Sequence, residues 1–257
     1  MRNREFFIDD AGIRLHAKLD FPGENGRKEK YPLLILIHGL TGHMEEDHIR
    51  AAARAGNEAG FAVLRAEMYG HGGSGGAFRD HTVLKWIGNL MAVIDYAFTL
   101  YFVSGLYLCG HSQGGMVTML VGAMEQDRIR AIIPLSPAWM VPEVTRKGEL
   151  LGAHFDPDHV PDEIDIGNGL LLGCNYVRTA QLIDVYPAIR RFTKPVLLVH
   201  GSGDLAVPVH YSEEAASLYA DARLVILPND SHCYDLHVDM MADAVRTFLE
   251  ENDHAGL

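Results

Sequence analysis

The chain is short of the residues that would place it in several large protein classes. It has three cysteines in 257 residues, Cys109, Cys174 and Cys233, and none of them forms a CxxC pair. An odd number at irregular spacing argues against a disulfide framework and for free thiols in a reducing compartment, so a cytoplasmic location is expected. Basic residues are scarce, with 22 Lys and Arg against 34 Asp and Glu and a formal charge of −12. The densest basic stretch, RKEK at 27–30, reads as solvated loop, and neither nucleic acid nor an anionic membrane surface suits such a chain. The strongest apolar runs, such as PLLILI, are strand-sized and too short to span a bilayer. The N-terminal MRNREFFIDDAG lacks the apolar core and small-residue cleavage site of a secretory signal. No HExxH, Cys/His cluster, carboxylate grouping or P-loop pattern stands out, so neither a metal nor a cofactor is expected.

What is present is a large apolar fraction, 48%, arranged in a regular rhythm. The alternating IRLHAKLDF (13–21) predicts a half-exposed antiparallel strand. PLLILIHG (32–39) is continuously apolar, as a strand covered on both faces must be. Helix-forming and strand-forming segments then alternate almost to the end of the chain. Strands are expected at 61–68, 105–110, 129–137, 194–204 and 222–228, and helices at 45–60, 82–100, 114–126, 210–220 and 238–251. That alternation implies one α/β domain over 1–257, with a mostly parallel central sheet and helices on both faces. Residues 138–192 break the rhythm with several Pro and Gly, mixed acids and short apolar clusters. A stretch of that length between two buried strands is read as an inserted cap or lid over the carboxyl ends of the sheet.

The chemistry concentrates where strands end. In LYLCGHSQGGMV (106–117), Ser112 sits between an apolar strand and a helix, flanked by Gly110 and Gly114. GxSxG alone arises by accident in roughly one chain in ten of this length. Between a strand and a helix, however, it has the context of a nucleophile elbow. A serine hydroxyl needs a base, and the base an orienting acid, in the chain order Ser, Asp, His for this architecture. Asp204 ends VLLVHGSGD, in the turn beyond the strand, and His232 lies in the loop of PNDSHCYD before the last helix. Asp230 and Asp235 are rival acids, but they are too close along the chain to reach the far ring nitrogen. His200 within a strand, His210 near a helix start and His237, expected inside the last helix, are less well placed as bases. An acyl-transfer site also needs donors for the developing oxyanion. The backbone N–H groups of Gln113 and of Leu40, in HGLTGH (38–43), are the candidates, with His38 and His111 as loop supports. GHGGSG (70–75) matches G-x-G-x-x-G, but it follows several strands and does not open directly into a helix. It is read as a loop beside the pocket.

Taken together, HGLTGH, EMYGHGGSGG, GHSQGG, HGSGD and DSHCYD resemble the α/β-hydrolase superfamily over nearly the whole chain. More narrowly, GHSQGG, FDPDHVPD…GCNYVRTAQ and SHCYD resemble the bacterial feruloyl (cinnamoyl) esterases. The resemblance implies a serine esterase that releases hydroxycinnamic acids such as ferulate from small-molecule esters, without cofactor or metal. Ser112, Asp204 and His232 would form the triad and Leu40 and Gln113 the oxyanion hole. It also implies a cap that grips the aromatic acyl group, with Tyr176 as the candidate contact to its phenolic hydroxyl. Glu67 stands where the family often has Asp. A general short-chain carboxylesterase, monoacylglycerol lipase or thioesterase would use the same triad, and a non-catalytic binding protein could retain the fold. Either a monomer or a homodimer is compatible with the sequence.

Overall fold

The computed structural model describes residues 3–23 and 29–253; Met1, Arg2 and the Arg27–Lys28 half of the basic stretch lie outside the described residues. The strands that build the main sheet are β1 (Asn3–Asp10), β2 (Ile13–Asp20), β3 (Tyr31–Ile37), β4 (Ala62–Ala66), β5 (Val103–His111) and β6 (Ile129–Leu135). After four short strands, β7 (Glu149–Leu150), β8 (Ala153–His154), β9 (Glu163–Asp165) and β10 (Leu171–Gly173), come β11 (Val196–Gly201) and β12 (Ala222–Leu227). The eight-stranded sheet has the order β1-β2-β4-β3-β5-β6-β11-β12. Only β1 and β2 run antiparallel to their neighbours. β1 has no clear signal in the sequence; it supplies the partner that the alternating β2 requires, with Asn3 opposite Asp20.

The continuous apolar runs follow from burial on both faces. On β3, Leu33, Ile35 and Ile37 face one core, with Trp86, Val93 and Met116, while Leu34 and Leu36 face the other, with Ile49, Ala52 and Met241. The first core is closed by α2 (Val83–Phe98), α3 (Gln113–Met124) and α7 (His210–Leu218), and the second by α1 (Asp47–Glu58) and α8 (Val238–Asp253). Local signals set the helix ends. The Thr82 hydroxyl accepts the Lys85 N–H at 3.1 Å and caps α2. The chain leaves α1 through Gly60 at φ +88°, a conformation that suits glycine. His237, expected inside the last helix, instead precedes α8; its carbonyl accepts the first helical N–H, from Met241, at 3.1 Å.

The interruption between β6 and β11 is ordered and holds α4 (Val141–Arg146), α5 (Cys174–Ala180), α6 (Tyr186–Arg191) and the ribbons β7-β8 and β9-β10. It is tied together by polar links to main chain. Gln181 Nε2 donates to the Thr145 and Pro157 carbonyls at 3.1 and 3.0 Å. Arg146 donates to the Gln181 and Ile183 carbonyls at 2.9 and 3.1 Å. It is joined to the main body where Trp139 Nε1 meets the Tyr211 carbonyl at 2.9 Å.

Candidate active site

Ser112 stands at the junction of β5 and α3 with φ 56° and ψ −119°, a conformation costly for a residue with a side chain. Close packing on all sides holds it there. A Cβ at Gly110 would lie 2.3 Å from the Gly114 carbonyl oxygen, and one at Gly114 would lie 2.3 Å from that of His38. The glycines of GHSQGG are therefore contact requirements, and they let helix α3 start directly behind the serine. The Ser112 N–H donates to the Leu135 carbonyl at 2.8 Å, and its own carbonyl accepts from Met116 and Ala138, each at 3.0 Å.

The loops carrying Asp204 and His232 are joined in the same way. A Cβ at Gly201 would approach the Asp230 carbonyl oxygen to 2.4 Å, and the Gly203 N–H donates to that carbonyl at 2.9 Å. The His232 Nδ1–H donates to Asp204 Oδ2 at 2.6 Å. Asp204 Oδ1 accepts the Ala206 and Val207 N–H groups, each at 2.8 Å. Burial pushes the Asp204 carboxyl up, but hydrogen bonds from His200 and His232, the charge of His232 and the Val207 N–H outweigh it. The carboxyl stays well below the usual carboxylate range.

His200 lies within β11, as expected, and it also belongs to this network. Its Nε2–H lies 3.1 Å from Asp204 Oδ2 and 2.9 Å from the Val207 carbonyl oxygen, while Nδ1 takes the Ser212 hydroxyl at 2.6 Å. The i,i+4 spacing within HGSGD is the only sequence sign of it. Asp230, the rival acid, is fully buried and accepts the Leu236 and His237 N–H groups at 3.0 and 2.9 Å, so it shapes the loop around His232.

Leu40 and Gln113 border the serine. As first residue of α3, Gln113 has an N–H for which the helix supplies no partner. A Cβ at Gly39 would lie 3.0 Å from Ser112 Cβ, so the glycine brings the Leu40 loop against the serine. His38 and His71 hold that loop. His38 Nδ1–H donates to the Gly39 carbonyl at 2.7 Å and Nε2 takes the Met68 N–H at 3.1 Å, while His71 Nε2 takes the Thr41 N–H at 3.2 Å. Burial holds His38 down at about 3, so its ring is neutral.

A cavity of about 610 Å³ opens over this group, with Ser112, Gln113, Leu40 and His232 at its floor. Val207 and Pro208 form one side, and Met140, Val144, Leu150, Leu151 and Tyr176 from the 138–192 segment form the roof. Ser112 and His232 share this cavity without a direct hydrogen bond, a contact that commonly tightens only when substrate is bound. Tyr176 is fully buried and its hydroxyl donates to Gln113 Oε1 at 2.7 Å, so its proton is directed at the residue after the serine. A second cavity, of about 480 Å³ between Phe98, Arg128, Arg130 and Lys194, lies at the opposite ends of the strands, away from the serine.

Two sequence expectations change. GHGGSG does not border the cavity. Its Gly73 N–H donates to Glu67 Oε2 at 2.6 Å and its Ser74 hydroxyl to the Glu67 carbonyl at 2.6 Å, winding the loop around Glu67 at the edge of β2. The expectation of no Cys/His cluster also fails, because the fold brings His48, His111 and Cys233 together.

An elbow serine, a histidine paired to a carboxylate on two neighbouring loops, and free backbone donors at a helix start define the arrangement of a serine hydrolase on an α/β-hydrolase fold. Comparison with known proteins narrows this. Residues 28–161, more than half of the chain, match the family described as serine aminopeptidase, S33. Est1E from Butyrivibrio proteoclasticus, solved with ferulic acid bound, is 52% identical, with 97% of this chain and 99% of that chain covered and a TM-score of 0.95. A second Est1E structure is 50% identical over 97% and 99% of the two chains, with a TM-score of 0.91. The mouse alpha/beta hydrolase domain-containing protein 10 shares the fold at 18% identity, covering 96% and 99% of the two chains, with a TM-score of 0.79. The chain belongs to this α/β-hydrolase family and is a serine esterase.

Proposed function

We propose that the chain hydrolyses hydroxycinnamate esters, releasing ferulate-type acids through an acyl-enzyme on Ser112. The likeness to ferulate-bound Est1E across almost the full length of both chains is the observation that carries this reading. Ser112 Oγ attacks the ester carbonyl as His232 takes its proton, and Asp204 steadies the imidazolium that forms. The Leu40 and Gln113 N–H groups receive the oxyanion, each contributing about 2.7–4 kcal/mol to the transition state by analogy with other acyl-transfer enzymes. His232 returns the proton to the leaving alcohol, then takes one from the water that cleaves the acyl-enzyme.

In this reading residues 138–192 form a cap inserted in a single domain over 1–257, and the enzyme works in the cytoplasm. Tyr176 binds substrate as part of the apolar roof, while its hydroxyl steers Gln113. A cavity of about 610 Å³ is in the range that encloses a small aromatic ester. The test is purified enzyme on methyl ferulate, p-nitrophenyl butyrate and an acyl-CoA. Preference for methyl ferulate supports the reading. Faster turnover of the butyrate or acyl-CoA would move the enzyme to a general esterase or thioesterase.

A further inference from the structure

Next to His232, and outside the group of Ser112, Asp204 and His232, lies a second group of reactive side chains. One ligand atom each from His48 in the first turn of α1, His111 at the end of β5 and Cys233 after β12 falls within 4.8 Å of the others. His48 and His111 are each only 3% exposed, with ring centroids 4.2 Å apart. His48 Nε2 and His111 Nδ1 are buried without a hydrogen-bond partner. The His111 Nε2–H donates to the His232 carbonyl at 2.9 Å, which leaves the lone pair on Nδ1. An imidazole anchored through one nitrogen to a main-chain carbonyl, with the other nitrogen bare, has the form of a metal-bound histidine.

We propose that His48, His111 and Cys233 bind a zinc-class divalent cation, with Glu46 as fourth donor, and that the bound ion inhibits hydrolysis. Two imidazoles and a thiolate select a borderline or soft ion such as Zn²⁺ or Co²⁺ over Mg²⁺ or Ca²⁺, which favour oxygen ligands. Glu46 Oε2 lies 4.0 Å from His48 Nε2. Tetrahedral zinc, with bonds of about 2.0–2.3 Å, spaces its donors by roughly 3.3–3.7 Å, so the group closes by about an ångström around the ion. The Cys233 thiol releases its proton to solvent when the metal–sulfur bond forms, and nothing is oxidised or reduced. Inhibition follows from position. The His111 and His232 rings are 4.6 Å apart, and a dication on that side opposes the imidazolium that attack by Ser112 requires.

The test is Co²⁺ titration of chelator-treated protein, followed by thiolate-to-cobalt absorption, with Zn²⁺ inhibition of ester hydrolysis measured in parallel. One equivalent of Co²⁺ should give the thiolate band. Cys233→Ser should lose it, and His48→Asn should bind at least about tenfold more weakly, both keeping metal-free turnover within about twofold. Zn²⁺ should inhibit the wild type, and Cys233→Ser should need at least about tenfold more Zn²⁺ for the same effect. Absence of the band in the wild type would overturn the site. A band without inhibition, or equal inhibition of Cys233→Ser, would overturn the regulatory role. The absorption test uses no substrate, so it stands apart from the ferulate reading.

Discussion

The floor and the roof of the large cavity are held by different means. On the floor, the chain conformation is set by backbone approach. Ser112 sits at positive φ because Gly110, Gly114 and Gly39 admit neighbouring main chain. The Asp204 and His232 loops meet because Gly201 and Gly203 accept the 229–231 backbone. The roof is made of short ribbons and helices held by apolar side chains such as Leu172, Val177 and Ile189, buried in the core shared with α2 and α3, and by side-chain hydrogen bonds, while Leu151 at its edge is 50% exposed. A floor fixed by main-chain contact holds reacting atoms in register, whereas a roof fixed by side chains reaches them chiefly through the Tyr176 hydroxyl on Gln113. The difference separates turnover from substrate choice, and substitutions in the two regions should separate them too.

The largest expected effect is on the floor. Asp204→Asn keeps the shape but loses the charge that orients and stabilises His232, and kcat should fall by about 10⁴-fold with the fold intact by circular dichroism. His200→Phe, which removes one donor from Asp204 Oδ2, should cost far less, and its effect should show as a changed acid limb of the kcat profile. Gly201→Ala forces a methyl against the Asp230 carbonyl. It should lower stability by about 1–3 kcal/mol, or Tm by roughly 3–10 °C, and activity should fall with it.

Acid should act through the buried histidines packed behind the cavity. His38 and His81, the latter fully buried with its ring 5.0 Å from that of Tyr176, are held at about 3 and His48 at about 4, against 6.5 when unfolded, chiefly by burial. The unfolded chain binds more protons below pH 6.5, so their stabilising contribution is present above that value. It is lost as pH falls toward 4 and 3. Asp204, also depressed, adds a further loss that begins as pH falls through the ordinary carboxylate range and continues below it. Thermal melts should therefore drop progressively between pH 6.5 and 4. A flat Tm across that window would contradict the burial of neutral imidazoles.

Smaller effects are expected toward the roof. Tyr176→Phe removes the donor to Gln113 Oε1 and leaves a buried amide oxygen unpaired, which costs about 1–3 kcal/mol and should lower kcat/KM by roughly tenfold or more. Leu151→Ala, at the exposed rim, should change KM between ester types by a few-fold and leave kcat nearly unchanged. A rim substitution that cut kcat as deeply as Asp204→Asn would end the distinction between floor and roof.

The floor was largely legible in the sequence, because its requirements are local. Apolar runs marked strands buried on both faces, and GHSQGG and HGSGD marked turns where only glycine fits. The order Ser112, Asp204, His232 followed the ends of those strands. His200 was harder to see, since a histidine inside an apolar strand reads as core until its i,i+4 partner is known to face it. The Tyr176–Gln113 bond and the group of His48, His111 and Cys233 could not be read at all. Each depends on elements far apart in the chain, brought together only by the order of strands in the sheet. β1 carries only a weak signal because its apolar positions, Phe6 and Ile8, lie among charges at an edge, where one face is enough.

The most direct measurement is release of ferulate from methyl ferulate by the wild type and by Ser112→Ala, at equal concentration and with both folded. The wild type should turn over the ester, and the variant should lose about 10⁴–10⁶-fold of that rate. Turnover that survives the loss of the Ser112 hydroxyl, or a wild type inert toward methyl ferulate while it cleaves other esters, would contradict the assignment.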